Sequence, residues 1–143
     1  MPLVRRHLPA IFFGALILWM SGSHGSAAAT GSWAEPMMLW LGFPPGLAWV
    51  VHRAFRKLGH LTAYGVFAAL AFRSVRGDRP PTRGLAWRAL GIAVLLASTD
   101  ETLQSFASDR GGSPLDVLLD ACGAAIALYL MLPASERRLA PAA

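Results

Sequence analysis

Apolar residues gather in four blocks, near residues 8–22, 57–75, 85–107 and 114–132, and Gly, Pro and Arg collect between them. An α-helix rises about 1.5 Å per residue and bilayer hydrocarbon is about 30 Å thick, so about 20 apolar residues make a span. The third block has no Pro and a single Gly, and its acids fall in its last third. The fourth opens on Ser113 and Pro114, with Asp116 three residues after Ser113, a capping-box-like start. In the second, Lys57 and Arg73 are placed to snorkel towards opposite interfaces. The first is short and follows Arg5 and Arg6. It reads either as a signal peptide, with Ala27-Ala28-Ala29 as a cleavage site, or, the favoured reading, as a retained helix. Residues 31–52, with Trp33, Trp40, Trp49 and Pro44-Pro45, are too broken for a span and rich in interface-seeking Trp, so they predict an outer, membrane-lying segment. The pattern predicts an all-α, four-helix integral membrane domain over residues 1–143.

Composition agrees with that solvent. The chain is 55% hydrophobic and 15% charged, with mean hydropathy +0.46, whereas soluble domains carry about 25% charged residues. This excludes a water-soluble enzyme with a large polar cleft. Cys122 is the sole cysteine, which excludes a disulfide framework. The net charge of +5 does not point to nucleic acid, because the cations sit at the ends of the apolar blocks. Arg5, Arg6, Arg73, Arg76, Arg79, Arg83, Arg88, Arg137 and Arg138 fall at the N-terminus, the central loop and the C-terminus. The positive-inside rule makes these cytoplasmic, an N-in/C-in, multi-pass topology in a bacterial inner membrane. Arg53, Arg56, Lys57 and Arg110 then lie outside with Glu35, Asp100, Glu101, Asp109, Asp116 and Asp120. The outer face is where chemistry is expected.

On the second helix Lys57, His60 and Tyr64 are three and four apart and share one face. On the third, Asp100 and Glu101 flank a shared amide, Gln104; on the fourth, Asp116 and Asp120 repeat the four-residue spacing. The turn between them carries Arg110 and is short, so the helices are antiparallel neighbours and the polar stripes converge. Intramembrane ionisable groups cost roughly 2.5–3.5 kcal/mol each at a helix centre and face one another rather than lipid.

Two readings of the cluster remain open. It is a salt-bridge network, Lys57 or Arg110 to Glu101 or Asp116, that holds helices together, or an outward-facing site that binds a polar or phosphorylated headgroup through Arg110 and Lys57, with His60 as proton carrier. A metal site at His60 lacks an HExxH or paired-His pattern, so no metal or cofactor is expected. Ser98, Thr99, Thr102 and Ser105 lack a GxSxG context and are expected to bond back to the backbone. His7, His24 and His52 are expected to be solvated or interfacial. Gly59, Gly65, Gly91 and Gly123 are expected to be close-packing points between helices.

These motifs resemble the VanZ-like family of small bacterial membrane proteins. Its pattern is Lys-x-x-His-x-x-x-Tyr, then Asp-Glu-x-x-Gln-x-Phe, an Arg, and an Asp-Val with Asp or Asn four residues beyond the first Asp. It falls on Lys57, His60, Tyr64, Asp100, Glu101, Gln104, Phe106, Arg110, Asp116, Val117 and Asp120, with Gly123 matching the family glycine. Ser21-Gly22-Ser23 looks like the Ser-rich stretch after the family's first helix. Many relatives carry Glu where this chain has Ala63, and Pro-Gly where it has Ser108-Asp109. The resemblance implies a four-helix membrane protein of the cell envelope and a link to teicoplanin-type resistance. The expected partners are the bilayer and a lipid-linked or cell-wall precursor. Three roles compete: a binding protein, a membrane enzyme acting on a precursor headgroup with His60 or Glu101 in acid/base roles, and an assembly partner.

Overall fold

The computed structural model describes residues 3–22, 27–105 and 113–137, and among these the chain is all-helical. Six helices follow in order: α1 (Leu3–Met20), α2 (Ala27–Trp40), α3 (Pro45–Arg76), α4 (Arg83–Ser105), α5 (Pro114–Met131) and α6 (Ala134–Arg137). The four expected helices correspond to α1, α3, α4 and α5, with two corrections.

The first concerns residues 31–52, expected as a broken interfacial segment. They are helical on both sides of one turn: the first part belongs to α2 and the remainder begins α3. Pro36 lies inside α2, where it forfeits one backbone bond without ending the helix. Gly42 ends it. With φ at 86°, it lets its N–H reach the Leu39 carbonyl and the Phe43 N–H reach the Met38 carbonyl, both at 3.0 Å, the Schellman arrangement. Pro44 and Pro45 then start α3, since Pro at the first helical position gives up a donor that has no partner there anyway. The helix therefore begins at Pro45 rather than 57 and runs for 32 residues, about 48 Å at about 1.5 Å per residue. His52, Arg53 and Arg56 interrupt the apolar pattern, but a change of solvent preference is not a helix stop.

The second correction is at the N-terminus of α5. Ser113 is its N-cap and Pro114 its first residue, yet the Ser113 side chain makes no capping bond. The Ser113 N–H donates instead to Oε2 of Glu101 on α4, at 2.7 Å. Asp116, expected to close a local capping box, is left to pair with α3.

α3 is the central helix. α5 packs most extensively on it, α4 packs on both, α1 lies against α3 and α4, and α2 covers the first half of α3. α4 turns Ala86, Ala89, Ala93 and Ala97 inward against Tyr64, Phe67, Ala68, Ala71 and Phe72 of α3 and Ala124 and Leu128 of α5. Small side chains on α4 and α5 allow close approach. The seam is tightest at Gly123, where a Cβ would stand 2.2 Å from the Leu61 carbonyl oxygen; Gly65 faces the Gly123 carbonyl across it. Gly59 and Gly91, expected as packing points too, face open space.

The helix ends opposite α2 are tied by arginines. Arg6 donates to the Ser74 and Val75 carbonyls at the end of α3, at 2.7 and 3.3 Å, and His7 meets the Ser74 hydroxyl. Arg137 donates to the Leu130 and Leu132 carbonyls at the end of α5, at 2.9 and 2.6 Å. Glu136 accepts the Arg83 backbone N–H at the start of α4, at 3.0 Å. Cations thus sit at helix C-termini and an anion at an N-terminus, as the helix dipole favours. Large apolar side chains, among them Phe12, Trp87, Leu95, Leu115, Leu118 and Leu130, point outward. Among the described residues, Pro114–Met131 is the one helix long and apolar enough to cross a membrane, with mean hydropathy 1.6.

Gly123→Ala is expected to cost about 1–3 kcal/mol, the usual range for overpacking, and to lower the thermal unfolding midpoint of the protein in detergent. Gly59→Ala and Gly91→Ala, with room for a methyl group, are expected to leave that midpoint unchanged or raise it.

Candidate functional site

The helical period places Lys57, His60 and Tyr64 on one edge of α3, and the Gly123 seam brings the acids of α5 and α4 against that edge. They meet in three successive rungs. Lys57 Nζ lies 2.9 Å from Asp116 Oδ1. One turn further, His60 Nδ1 lies 3.6 Å from Asp120 Oδ1. In the third, the Tyr64 hydroxyl donates to Asp100 Oδ2 at 3.1 Å.

Burial deepens along the rungs. The side chains of Lys57 and Asp116 are 53% and 36% exposed, those of His60 and Asp120 27% and 0%, and Tyr64 and Asp100 are 1% and 0% exposed. Energetics change with depth. The outer pair is solvated, so its net worth is about 0–1 kcal/mol. The inner groups pay for desolvation, which amounts to several kcal/mol for a charge that lacks full compensation. Among the described residues compensation is incomplete: both oxygens of Asp120, Oδ1 of Asp100, Oε1 of Glu101 and Nε2 of Gln104 are buried without a hydrogen-bond partner there.

The predicted residues come together, and Lys57 takes Asp116, one of the two acids expected for it. Glu101 serves as the cap of α5 rather than as an ion-pair partner of Lys57. Gln104 is buried beside the acids, but its amide nitrogen is not shared between them. Arg110, expected as the second cation, lies outside the described residues, as do Asp109 and Phe106. Thr99, Thr102 and Ser105 donate to the carbonyls of Leu95, Ser98 and Thr102 at 2.7–2.9 Å, so these hydroxyls are spent on their own helix. Among the described residues no group of three His, Cys, Asp or Glu side chains is placed to hold a metal ion.

Sequence reasoning missed a second polar cluster, on α2 and the first half of α3. His52, expected to be solvated or interfacial, is buried. Its Nε2 lies 3.1 Å from the Thr30 hydroxyl and its Nδ1 3.5 Å from Glu35 Oε1. Arg56 donates to the same Thr30 hydroxyl at 3.0 Å. His7 is likewise engaged, with Ser74, and His24 lies outside the described residues. A signal is present in the sequence: His52, Arg56 and His60 recur every four residues, continuing the polar edge upward past the start of the apolar block at 57. Between this cluster and α1 lies a cleft of about 340 Å³, walled by Phe13, Leu16, Ile17 and Ala63 and bounded by Thr30, Arg56 and His60. His60 thus has the cleft on one side and Asp120 on the other. A carboxylate-oriented imidazole at a cleft wall can take up and return a proton.

Depth predicts unequal mutational costs. Tyr64→Phe, which leaves a buried carboxyl without its donor, is expected to destabilise the protein by about 1–3 kcal/mol. Lys57→Gln, in the exposed pair, is expected to cost no more than about 1 kcal/mol. Thermal unfolding of both variants in the same detergent checks the contrast.

No curated protein and no solved structure matches the chain. The VanZ/LLP1 family model, by contrast, matches residues 9–135, a stretch that runs from α1 into α6 and takes in all three rungs. With its motif residues meeting across α3, α4 and α5, this chain belongs to the VanZ/LLP1 family.

Proposed function

We propose that the chain is a multi-pass protein of the bacterial inner membrane, folded as one domain, whose rungs open outward and bind a ligand of the cell envelope. The observation that carries the reading is the gradient from an exposed Lys57–Asp116 pair to buried acids whose oxygens find no full set of partners among the described residues. Desolvated carboxyl groups in a small-residue core are a poor way to hold helices together, because apolar replacements of similar volume are often as stable. Groups kept at that cost, beside an accessible cation, fit a binding role. The outward-pointing Trp, Leu and Phe side chains suit lipid rather than water as the surrounding solvent. Arg6, Arg76, Arg79, Arg83 and Arg137 belong to the end where α1 begins, α3 gives way to α4 and α5 finishes. That end is the cytoplasmic one by the positive-inside rule, which puts Lys57 and Asp116 outside. The bilayer and a lipid-linked or cell-wall precursor are the partners in this reading, and a contribution to teicoplanin-type resistance follows from the family resemblance.

A second reading, a membrane enzyme acting on a precursor headgroup, draws on the His60–Asp120 contact. In it His60 is the proton carrier, and Lys57, with Arg110, holds anionic oxygens.

Topology is tested with Phe43→Cys and Arg79→Cys, each in a Cys122→Ala background. A membrane-impermeant maleimide added to intact cells is expected to label position 43 and to spare position 79; the reverse pattern overturns the orientation. Function is tested by teicoplanin susceptibility and labelled-drug binding in a sensitive host expressing the wild type or Glu101→Gln at matched membrane levels. The wild type is expected to lower susceptibility, and Glu101→Gln to lose most of that effect. A wild type without effect removes the resistance role. Ligand binding retained in His60→Gln with turnover lost favours the enzyme.

A further inference from the structure

We infer that the cleft between α1, α2 and α3 is a binding site for a single-tailed lipid phosphate, its headgroup held at Arg56 and its tail laid along α1. The inference rests on the proposal that the chain lies in a membrane, and it assigns a place and a chemical class to the ligand.

The cleft is amphipathic along its length. α1 runs antiparallel to α3: Arg6 meets Ser74 and Val75 at one end, Gly14 lies against Phe67, and Ile17 and Met20 line the same cleft as His60 and Arg56 at the other. Ser21, Thr30, Arg56 and His60 therefore occupy one end of the cleft, and Phe13, Leu16, Ile17 and Ala63 wall its continuation. The polar end stands beside the exposed Lys57–Asp116 rung, where the helices meet the interface. The apolar end runs to the depth of Tyr64, which is buried. A ligand matched to this wall has a polar head at interface level and an aliphatic tail directed inward.

The head end selects an anion. Its cation is Arg56, a planar guanidinium suited to two parallel hydrogen bonds to phosphate oxygens. The Thr30 hydroxyl accepts from Arg56 Nη1 at 3.0 Å and holds the guanidinium at the cleft, and the His60 ring supplies a further donor. Among the described residues no carboxylate lines the cleft; Asp120 stands behind His60 and Glu35 behind His52. The volume, about 340 Å³, lies at the small end of ligand pockets, which span about 300–1,000 Å³. That favours one chain over two.

The test uses the purified full chain in a non-ionic detergent, with radiolabelled dodecyl phosphate as the probe and dodecan-1-ol and inorganic phosphate as its two halves. Saturable binding of dodecyl phosphate is expected, with neither half competing at equal concentration. Arg56→Gln is expected to weaken binding by about tenfold or more, the size of one charge-assisted hydrogen bond. Ala63→Phe, which fills the cleft, is expected to weaken it as well, whereas Arg88→Gln, on α4 and exposed, is expected not to. Circular dichroism confirms that each variant is folded, and Ala63→Glu, which places an anion in the cleft, replaces either one that is not. Binding unchanged in both Arg56→Gln and Ala63→Phe overturns the inference. Equal competition by dodecan-1-ol overturns the phosphate specificity, and equal competition by inorganic phosphate overturns the lipid source. Glu101 does not line the cleft. A drug response lost in Glu101→Gln with dodecyl phosphate binding unchanged in both cleft variants leaves the rung site standing and the cleft site refuted; the opposite pair of results does the reverse.

Discussion

The distance between α3 and α5 is set where Gly123 leaves no room for a side chain against the Leu61 carbonyl. That approach decides what the polar residues can do. At this separation Lys57 reaches Asp116 and His60 comes within ion-pair range of Asp120; a wider seam would part both pairs. Small residues on α4 bring Asp100 under the Tyr64 hydroxyl by the same means. The polar chemistry of the molecule is thus a product of backbone proximity, and backbone proximity is a product of glycine and alanine.

The bundle keeps an apolar core but departs from a soluble domain both inside and at its surface. Its fully buried side chains include two aspartates, and its exposed ones include Trp87, Leu95 and Leu115. In water such an arrangement would lose on both counts, by desolvating acids and hydrating hydrocarbon. In a bilayer the outer loss disappears and only the inner one remains.

Periodicity alone makes the rungs legible. Residues three and four apart share a helix edge whatever surrounds them, so Lys57, His60 and Tyr64, and likewise Asp116 and Asp120, stand out as stripes in the sequence. What periodicity lacks is the identity of the partner across the seam. Asp116 has two claimants, its own helix terminus and Lys57, and the outcome turns on Glu101 arriving from α4 to take the Ser113 N–H. His52 is obscured for another reason. Charged residues precede position 57 and give the apolar block a false start there, which hides two further turns of the same polar edge. Gly59 and Gly91 look like Gly65 and Gly123 in sequence, and only packing separates them.

The clamp of Arg6 on the end of α3 carries a consequence for the order in which the chain is assembled. It joins residues 68 and 69 positions apart, so α1 is made well before the carbonyls that seat it. Until Ser74 and Val75 have been synthesised, α1 lacks the carbonyls that receive its arginine. A closure of this span carries a chain-entropy cost that local contacts avoid. At about 5–20 residues per second, α1 waits for seconds before its neighbour exists. During that interval its wall of the cleft stands open to whatever surrounds it.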